Sequence, residues 1–338
     1  MGATISARDP EGILVKNETQ VGISDIAVAL PASAVSSKQL AQTFGFDETF
    51  IVQKLGIRSR RMLSEDENLS DLASQAVTNV LAKTQVSPEA VELLLVVTQT
   101  ADYSLPPLAS IVQDKCGLRT GVLTLDLNLG CSGYVTALSV ATSIMQTQGF
   151  RNGIVVTADA YSRIVDKNDR NTSPLFGDAA TATFLSNSYV YDIGATTHGT
   201  DGSLREALIL HGSGTAQEEE APLSMDGRAI FNFVLKVVPD DINRCLNLNN
   251  IELGDLDAFV FHQANLFMVH SLADRLGVPR DKVVLSLVDV GNTTSSSIPI
   301  ALESQILNRE QLPSNILLSG FGVGLSWAST VLMLRTGG

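Results

Sequence analysis

Two kinds of hydrophobic pattern share this chain. Short runs of β-branched and aliphatic residues alternate with longer stretches whose apolar positions return every three or four residues. The short runs predict strands over residues 21–30, 93–98, 122–127, 154–157, 182–185, 258–261, 283–287, 316–318 and 331–334. The longer stretches predict helices over 70–83, 131–147, 228–246, 264–276 and 297–308. Several of the strands are apolar on both faces, as in a sheet covered on both sides. Strand and helix alternating in this way place the chain in the α/β class.

The pattern also repeats. SPEAVELLLVVT (87–98) resembles LGDLDAFVFHQ (253–263), an acidic turn followed by a buried strand. LDLNLGCSG (125–133) resembles SLVDVGNTT (286–294), which sets Gly130 on Gly291 and Cys131 on Asn292. NGIVVT (152–157) matches NILLS (315–319), and each leads through a Gly-bearing turn to a last strand. Matches in a shared order predict two copies of one α/β unit, with a join near 185–192. The expected halves are residues 1–186 and 187–338, packed as one body.

Composition narrows the class of function. Of 338 residues, 44% are hydrophobic and 17% charged, and 23 Lys and Arg against 36 Asp and Glu leave a net charge of −13. A field of that sign repels phosphate backbones, so no nucleic-acid partner is expected. No apolar run approaches the roughly 20 residues that a bilayer-spanning helix needs, and residues 1–20 lack the apolar core of a secretory signal. Three cysteines, Cys116, Cys131 and Cys245, make no disulfide framework. The expectation is a soluble, cytoplasmic protein without a membrane partner. The acidic stretch at 215–221 reads as a solvated loop.

Three residues stand out for chemistry. Cys131 follows a predicted strand and Gly130 and opens a long apolar helix, where the partial positive charge of a helix N-terminus favours a thiolate. Taken alone it also fits a small core cysteine. His262 ends an apolar strand, where sites gather in α/β sheets, although a hydrogen-bonded structural histidine fits as well. Asn292, at the repeat position of Cys131, could be an ordinary helix cap. Together they form a nucleophile, a proton-handling ring and an amide donor, set by the repeat to converge on one pocket. His198, His211 and His270 lie at no ligand spacing, so no metal site is expected. The Gly-rich turn at 320–324 is not a nucleotide loop, because a strand follows it rather than a helix.

LGCSGY (129–134), HQANL (262–266), GNT (291–293) with Ser297-Ile298-Pro299, and GFGVGLSW (320–327) resemble the thiolase-fold condensing enzymes, and β-ketoacyl-acyl-carrier-protein synthase III most of all. Gly56-Ile57-Arg58 and Phe176-Gly177-Asp178-Ala179 add to the likeness, which runs from about Val21 to Leu334. The resemblance implies a thiolase-like fold, two pseudo-symmetric halves in a layered αβαβα body. It implies a homodimer that passes an acyl group from an acyl-coenzyme A primer to Cys131 and condenses it with a malonyl thioester, with no metal or redox cofactor. By the same resemblance, His262 and Asn292 would hold the enolate, and the backbone N–H groups of Cys131 and Val323 would form the oxyanion hole. The family usually has Gly where Val323 stands. Phe50 and Arg170 would flank the adenine of coenzyme A, Asn265 would bind the pantetheine arm or malonyl group, and Phe321 would lie over Cys131.

The resemblance also places Leu105 near the neighbouring subunit's acyl pocket, where a residue smaller than the usual Phe implies primers longer than acetyl. On the carrier-docking face, Asn232, Phe267 and Asp274 replace basic positions and Arg275 remains. Lys54, Arg58, Arg60 and Arg61 form a basic cluster nearby in sequence. The expected extender is therefore malonyl-coenzyme A or malonyl on a dedicated carrier protein. Two other readings stay open at this point: acyl transfer to an amine or hydroxyl without carbon–carbon bond formation, and a cysteine hydrolase.

Overall fold

The computed structural model describes residues 20–45 and 47–335, with two short strand pieces at 7–8 and 14–15. Ten strands form one hydrogen-bonded ladder. In chain order they are β1 (Gly22–Ala29), β2 (Leu93–Val97), β3 (Leu123–Leu127), β4 (Asn152–Asp159), β5 (Ala179–Ser186), β6 (Tyr191–Ile193), β7 (Thr197–Thr200), β8 (Ala258–Phe261), β9 (Asn315–Gly322) and β10 (Ser326–Leu334). Six helices matter for the site: α1 (Leu69–Thr84), α2 (Leu108–Lys115), α3 (Gly133–Gln148), α4 (Gly227–Asn249), α5 (Leu266–Leu276) and α6 (Ser297–Leu302).

The ladder runs β8-β9-β10-β6-β1-β5-β4-β2-β3, with β7 beside β10. At one end β3, β2 and β4 are parallel and β5 and β1 run against their neighbours. At the other end β8 and β9 are parallel and β10 runs against β9, so the order of strand directions recurs. Alternate residues feed different cores, as a two-residue side-chain period requires. Leu93, Leu95 and Val97 of β2 join Ala258 and Val260 of β8 in a central core around α3 and α6. Leu94 and Val96 face outward to α1 and α2, while Phe259 and Phe261 face outward to α4 and α5. Both ends of the ladder thus pack on the same helix pair, which gives the expected sequence of helix, sheet, helix, sheet and helix.

The predicted elements are found with one exception. Residues 283–287 do not form a strand. Val283 makes a single parallel bridge to Phe259, and a tight 3-10 turn follows at Leu287–Asp289. Helix α3 starts two residues later than predicted, and α5 starts at Leu266 because Asn265 caps it. Residues 297–308 divide into α6 and a wider π turn at Glu303–Leu307. Helix α2 and strands β6 and β7 were not predicted.

Candidate active site

Cys131 sits where the chain leaves β3 and enters α3. It is only 6% exposed. The β9–β10 hairpin presses on it from the opposite side, and a Cβ added at Gly322 would stand 2.9 Å from the Cys131 Sγ. No larger residue fits there without moving the sulfur. The Ser132 and Ser326 hydroxyls are 2.8 Å apart and tie this hairpin to the helix start.

The electrostatics of the thiol depart from the expectation. Burial pushes its pKa up, the Asp159 charge pushes it further, and its own backbone N–H only partly opposes them. A helix N-terminus lowers a cysteine pKa where water or a cation shares the work. Here desolvation is the larger effect, and the thiol is neutral at rest.

His262 leaves β8 with its N–H on the Ser319 carbonyl at 2.9 Å. Its Nδ1 lies 2.8 Å from the Ser297 hydroxyl at the start of α6, which leaves Nε2 for the site. The ring meets Phe321 edge-on, with centroids 5.7 Å apart. Burial lowers the His262 pKa to about 3, so the ring is neutral over the physiological range.

Asn292 lines the cavity and closes a side-chain turn on its own chain, while Thr293 and Ser296 are the residues that precede the helical turns. The Asn292 Oδ1 accepts from the Thr294 N–H at 2.9 Å, so its NH2 group is turned away from that turn. Its backbone is stitched to the first half of the chain: Asn292 N–H donates to the Leu175 carbonyl at 2.9 Å, and Gly177 N–H donates to the Asn292 carbonyl at 3.0 Å. Asn265 caps α5, with its Oδ1 accepting from Met268 N–H at 2.8 Å, so that its NH2 group remains available.

Cys131, His262, Asn265, Asn292 and Phe321 line one cavity of about 80 Å³, with Tyr161, Leu175, Phe176 and Met268 among its walls. Val323 lies in the adjoining cavity of about 310 Å³, beside Gln99, Asn128 and Tyr161. Leu105 is 85% exposed on a loop that also carries Tyr103. Arg170 is on an exposed turn and is not part of the cavity wall. Phe50 ends a short turn at Glu48–Phe50, and its side chain lies outside the described residues.

The basic cluster needs correcting. Arg60 is buried, donates to the Ser173 and Phe176 carbonyls, and has a pKa lowered by desolvation to about 10. Arg58 is paired with Asp289, and Arg61 contacts the Pro31 and Ala32 carbonyls. Lys54 alone of the four is solvent-exposed without an acidic partner among the described ion pairs. Sequence reasoning missed Asp159, Tyr161, Thr294, Ser297 and Gly322. Of these, Gly322, Ser297 and Thr294 fell inside motifs that could have singled them out, whereas Asp159 and Tyr161 did not. Among the described residues no group of His, Cys, Asp and Glu is placed to hold a metal ion, and no helix is long and apolar enough to cross a membrane.

The sequence pattern of 3-oxoacyl-(acyl-carrier-protein) synthase III fits residues 125–202, and that of its C-terminal part fits residues 246–334. The β-ketoacyl-(acyl-carrier-protein) synthase III of Neisseria gonorrhoeae is 35% identical over 313 residues, which span 92% of this chain and 98% of that protein. The chain belongs to the 3-oxoacyl-(acyl-carrier-protein) synthase III family. A solved 3-oxoacyl-(acyl-carrier-protein) synthase from Burkholderia xenovorans LB400 superposes with a TM-score of 0.87 at 33% identity, covering 93% of this chain and 94% of that one. The priming β-ketosynthase of the R1128 polyketide pathway superposes with a TM-score of 0.85 at 30% identity, covering 96% and 99%. The fold is thiolase-like, and the synthase III family to which the chain belongs consists of condensing acyltransferases. Membership sets the cysteine hydrolase reading aside.

Proposed function

We propose that Cys131 accepts the acyl group of an acyl-coenzyme A primer and that a malonyl thioester then condenses with it, releasing carbon dioxide and a 3-ketoacyl thioester. One observation carries this reading: a thiol, a neutral imidazole and an oriented amide share one small cavity. In the first step the Cys131 sulfur attacks the thioester carbon, and coenzyme A leaves as its thiol with the cysteine proton. The backbone N–H groups of Cys131 and Val323 hold the oxyanion, an interaction worth about 3–4 kcal/mol per donor. In the second step the malonyl group loses carbon dioxide, and its enolate oxygen is held by His262 Nε2–H and the Asn292 amide. The enolate carbon bonds to the acyl carbon, the bond from that carbon to the Cys131 sulfur breaks, and the departing thiolate takes up a proton from solvent. A neutral His262 suits a donor, and no base has to remove a carbon-bound proton. None of these steps calls for a metal or redox cofactor.

The remaining roles extend the same reading. Asn265 meets the pantetheine arm or malonyl group with its free NH2, Phe321 braces His262, and Phe50 and Arg170 hold the adenine of coenzyme A. Residues 1–186 supply the nucleophile and 187–338 the two enolate donors. The cytoplasmic enzyme works as a homodimer. Support for this comes from edge strand β3, whose Leu123 and Leu125 are 38% and 36% exposed, and from the neighbouring Tyr103–Leu105 loop. In the dimer Leu105 reaches the partner's acyl pocket and admits primers longer than acetyl. The relatives' names favour malonyl on a carrier protein over malonyl-coenzyme A. The proposed docking face is weakly basic: Phe267 is half-exposed and stacked on Phe231 at 5.3 Å, and Asp274 is bound by Arg280. That favours a dedicated carrier over a generic acidic one.

Intact-protein mass spectrometry with acyl-coenzyme A thioesters, followed by carbon dioxide release from malonyl thioesters, tests the reading. An acyl adduct lost in Cys131→Ala is expected. No adduct with any primer overturns it.

A further inference from the structure

Asp159 ends β4 in full burial, and none of the steps above uses it. A carboxylate in such a place is costly unless its lone pairs are filled. Here they are. Oδ1 accepts from the Gln99 N–H at 2.8 Å, and Oδ2 accepts from the Thr294 hydroxyl at 2.7 Å and the Ser295 hydroxyl at 2.5 Å. Two of these donors belong to the turn that follows Asn292, on the opposite half of the molecule.

Thr294 is the hinge of that turn. Its φ is +50°, a left-handed backbone that a β-branched residue rarely adopts, so something must hold it there. Its N–H is the group that fixes the Asn292 Oδ1. The turn leads directly into α6, whose Ser297 hydroxyl holds the His262 Nδ1 at 2.8 Å. Both proposed enolate donors therefore lean on this one turn, Asn292 through Thr294 and His262 through Ser297 just after it, and the Thr294 and Ser295 hydroxyls of the turn are anchored on Asp159.

We infer that Asp159 is a positioning residue for the condensation step: from β4 it fixes Thr294 and Ser295, and through them it aims the Asn292 amide and the His262 ring into the Cys131 cavity. The inference rests on the reading of Asn292 and His262 as enolate donors. Asp159 also has an opposite influence on the first step. Its pKa is raised to about 6 by burial, against the pull of its donors, so it is charged at neutral pH. That charge faces Cys131 and Tyr161 and disfavours the ionised form of each. One group thus orders the second half-reaction and restrains the first.

Asp159→Asn keeps the size of the side chain, removes the charge and turns an NH2 group toward at least one hydroxyl. The expected result is a ten- to hundredfold fall in carbon dioxide release and condensation. Acylation of Cys131 should run at the wild-type rate or faster. Ser295→Ala removes one donor and leaves the charge, so condensation should fall a few-fold with acylation unchanged. This milder variant also keeps the question decidable if Asp159→Asn folds poorly. Parallel loss of both half-reactions in Asp159→Asn, as a purely structural residue would give, overturns the inference. So does wild-type condensation in either variant. Asn292→Ala run alongside separates the two levels. If it condenses normally, the enolate reading itself fails; if it loses condensation while Asp159→Asn keeps it, only the role of Asp159 fails.

Discussion

The elbow that carries Cys131 and the elbow that carries Asn292 start from one sequence plan and become different objects. β3 runs for five residues beside β2 in parallel register, and α3 continues for 16 residues. At the second elbow Val283 makes a single bridge, 3-10 turns follow at Leu287–Asp289 and Thr294–Ser296, and α6 lasts six residues. The first elbow is stiff because of what it is: a long helix packed on both ends of the sheet. The second is stiff because of what it touches. Leu175 and Gly177 pair with its backbone, Asp159 holds its hydroxyls, and the Arg60 side chain lies against Gly291, where an added Cβ would be 2.9 Å from Arg60 Cγ. A repeat in sequence therefore does not guarantee equal rigidity. The donor half takes its order from the nucleophile half.

Substitutions at the first elbow should damage the first half-reaction, and substitutions at or under the second should damage the second. The largest effect is expected for Cys131→Ala, with no acyl adduct by mass spectrometry and condensation reduced by at least about 10³-fold. Asn292→Ala should cut condensation by about 10²-fold, the loss typical of one oxyanion-type donor, and leave acylation within about twofold. A parallel loss of both rates in Asn292→Ala would break the division between the elbows. Gly322→Ala places a methyl against the Cys131 sulfur, so acylation should slow about tenfold. Overpacking of this kind costs about 1–3 kcal/mol, to be read as a lower Tm.

Arg60→Met should cost a similar amount, because it leaves the buried Ser173 and Phe176 carbonyls without their guanidinium donor, at about 1–3 kcal/mol. Condensation should suffer more than acylation, since Gly291 packs on that side chain.

The smallest effect concerns pH. His262 is held at about 3 against an ordinary 6.5, so between those values the unfolded chain binds a proton that the folded chain refuses. Stability from this group rises with pH through that window and is complete above 6.5. Asp159, raised from 3.8 to about 6, acts in the opposite direction between its two values, because the folded chain holds the proton longer. Thermal melts should show that His262→Gln loses less stability than wild type between pH 7 and 5. The condensation rate of the wild type should show an acid limb near 6, where Asp159 takes up a proton, and this limb should be absent from Asp159→Asn, because His262 contributes none in that range.

Much of this contrast was legible in the amino-acid sequence, for identifiable reasons. All strands of the ladder except the short β6 and β7 carry their own apolar pattern, and Cys131, His262 and Asn292 stand in repeated or motif-bearing contexts. What escaped depends on partners distant in the chain. Helix α2 follows Pro106-Pro107 and has no local cap; the Asp126 carboxylate on β3 caps it by accepting from Leu108 and Ala109 N–H at 2.6 and 2.8 Å. Residues 283–287 have the composition of a strand, but their pairing stops after Val283 and Val284 meet Phe259, and Ser286 bonds to the Gln263 side chain instead of a ladder. Asp159 is a lone acidic residue at a strand end, indistinguishable from a solvated turn until Thr294 and Ser295 are seen to bind it. Arg60 looked like part of a surface cluster because burial is not written in a run of basic residues. The direction of the Cys131 shift was misjudged for the same reason: position at a helix start is local, whereas desolvation is not.

The sheltered, protonated thiol has a consequence for endurance. Peroxides and other oxidants consume thiolates, and they do so where the sulfur is accessible. Cys131 offers neither condition at rest: it is enclosed by Gly322 and Phe321, and both burial and the neighbouring carboxylate keep its proton on. Burial and a retained proton both work against attack by an oxidant, so the resting sulfur should react with peroxide more slowly than an exposed thiol of ordinary acidity. A surface cysteine of ordinary acidity would begin its first turnover sooner, but sulfenic acid formation would end its working life earlier.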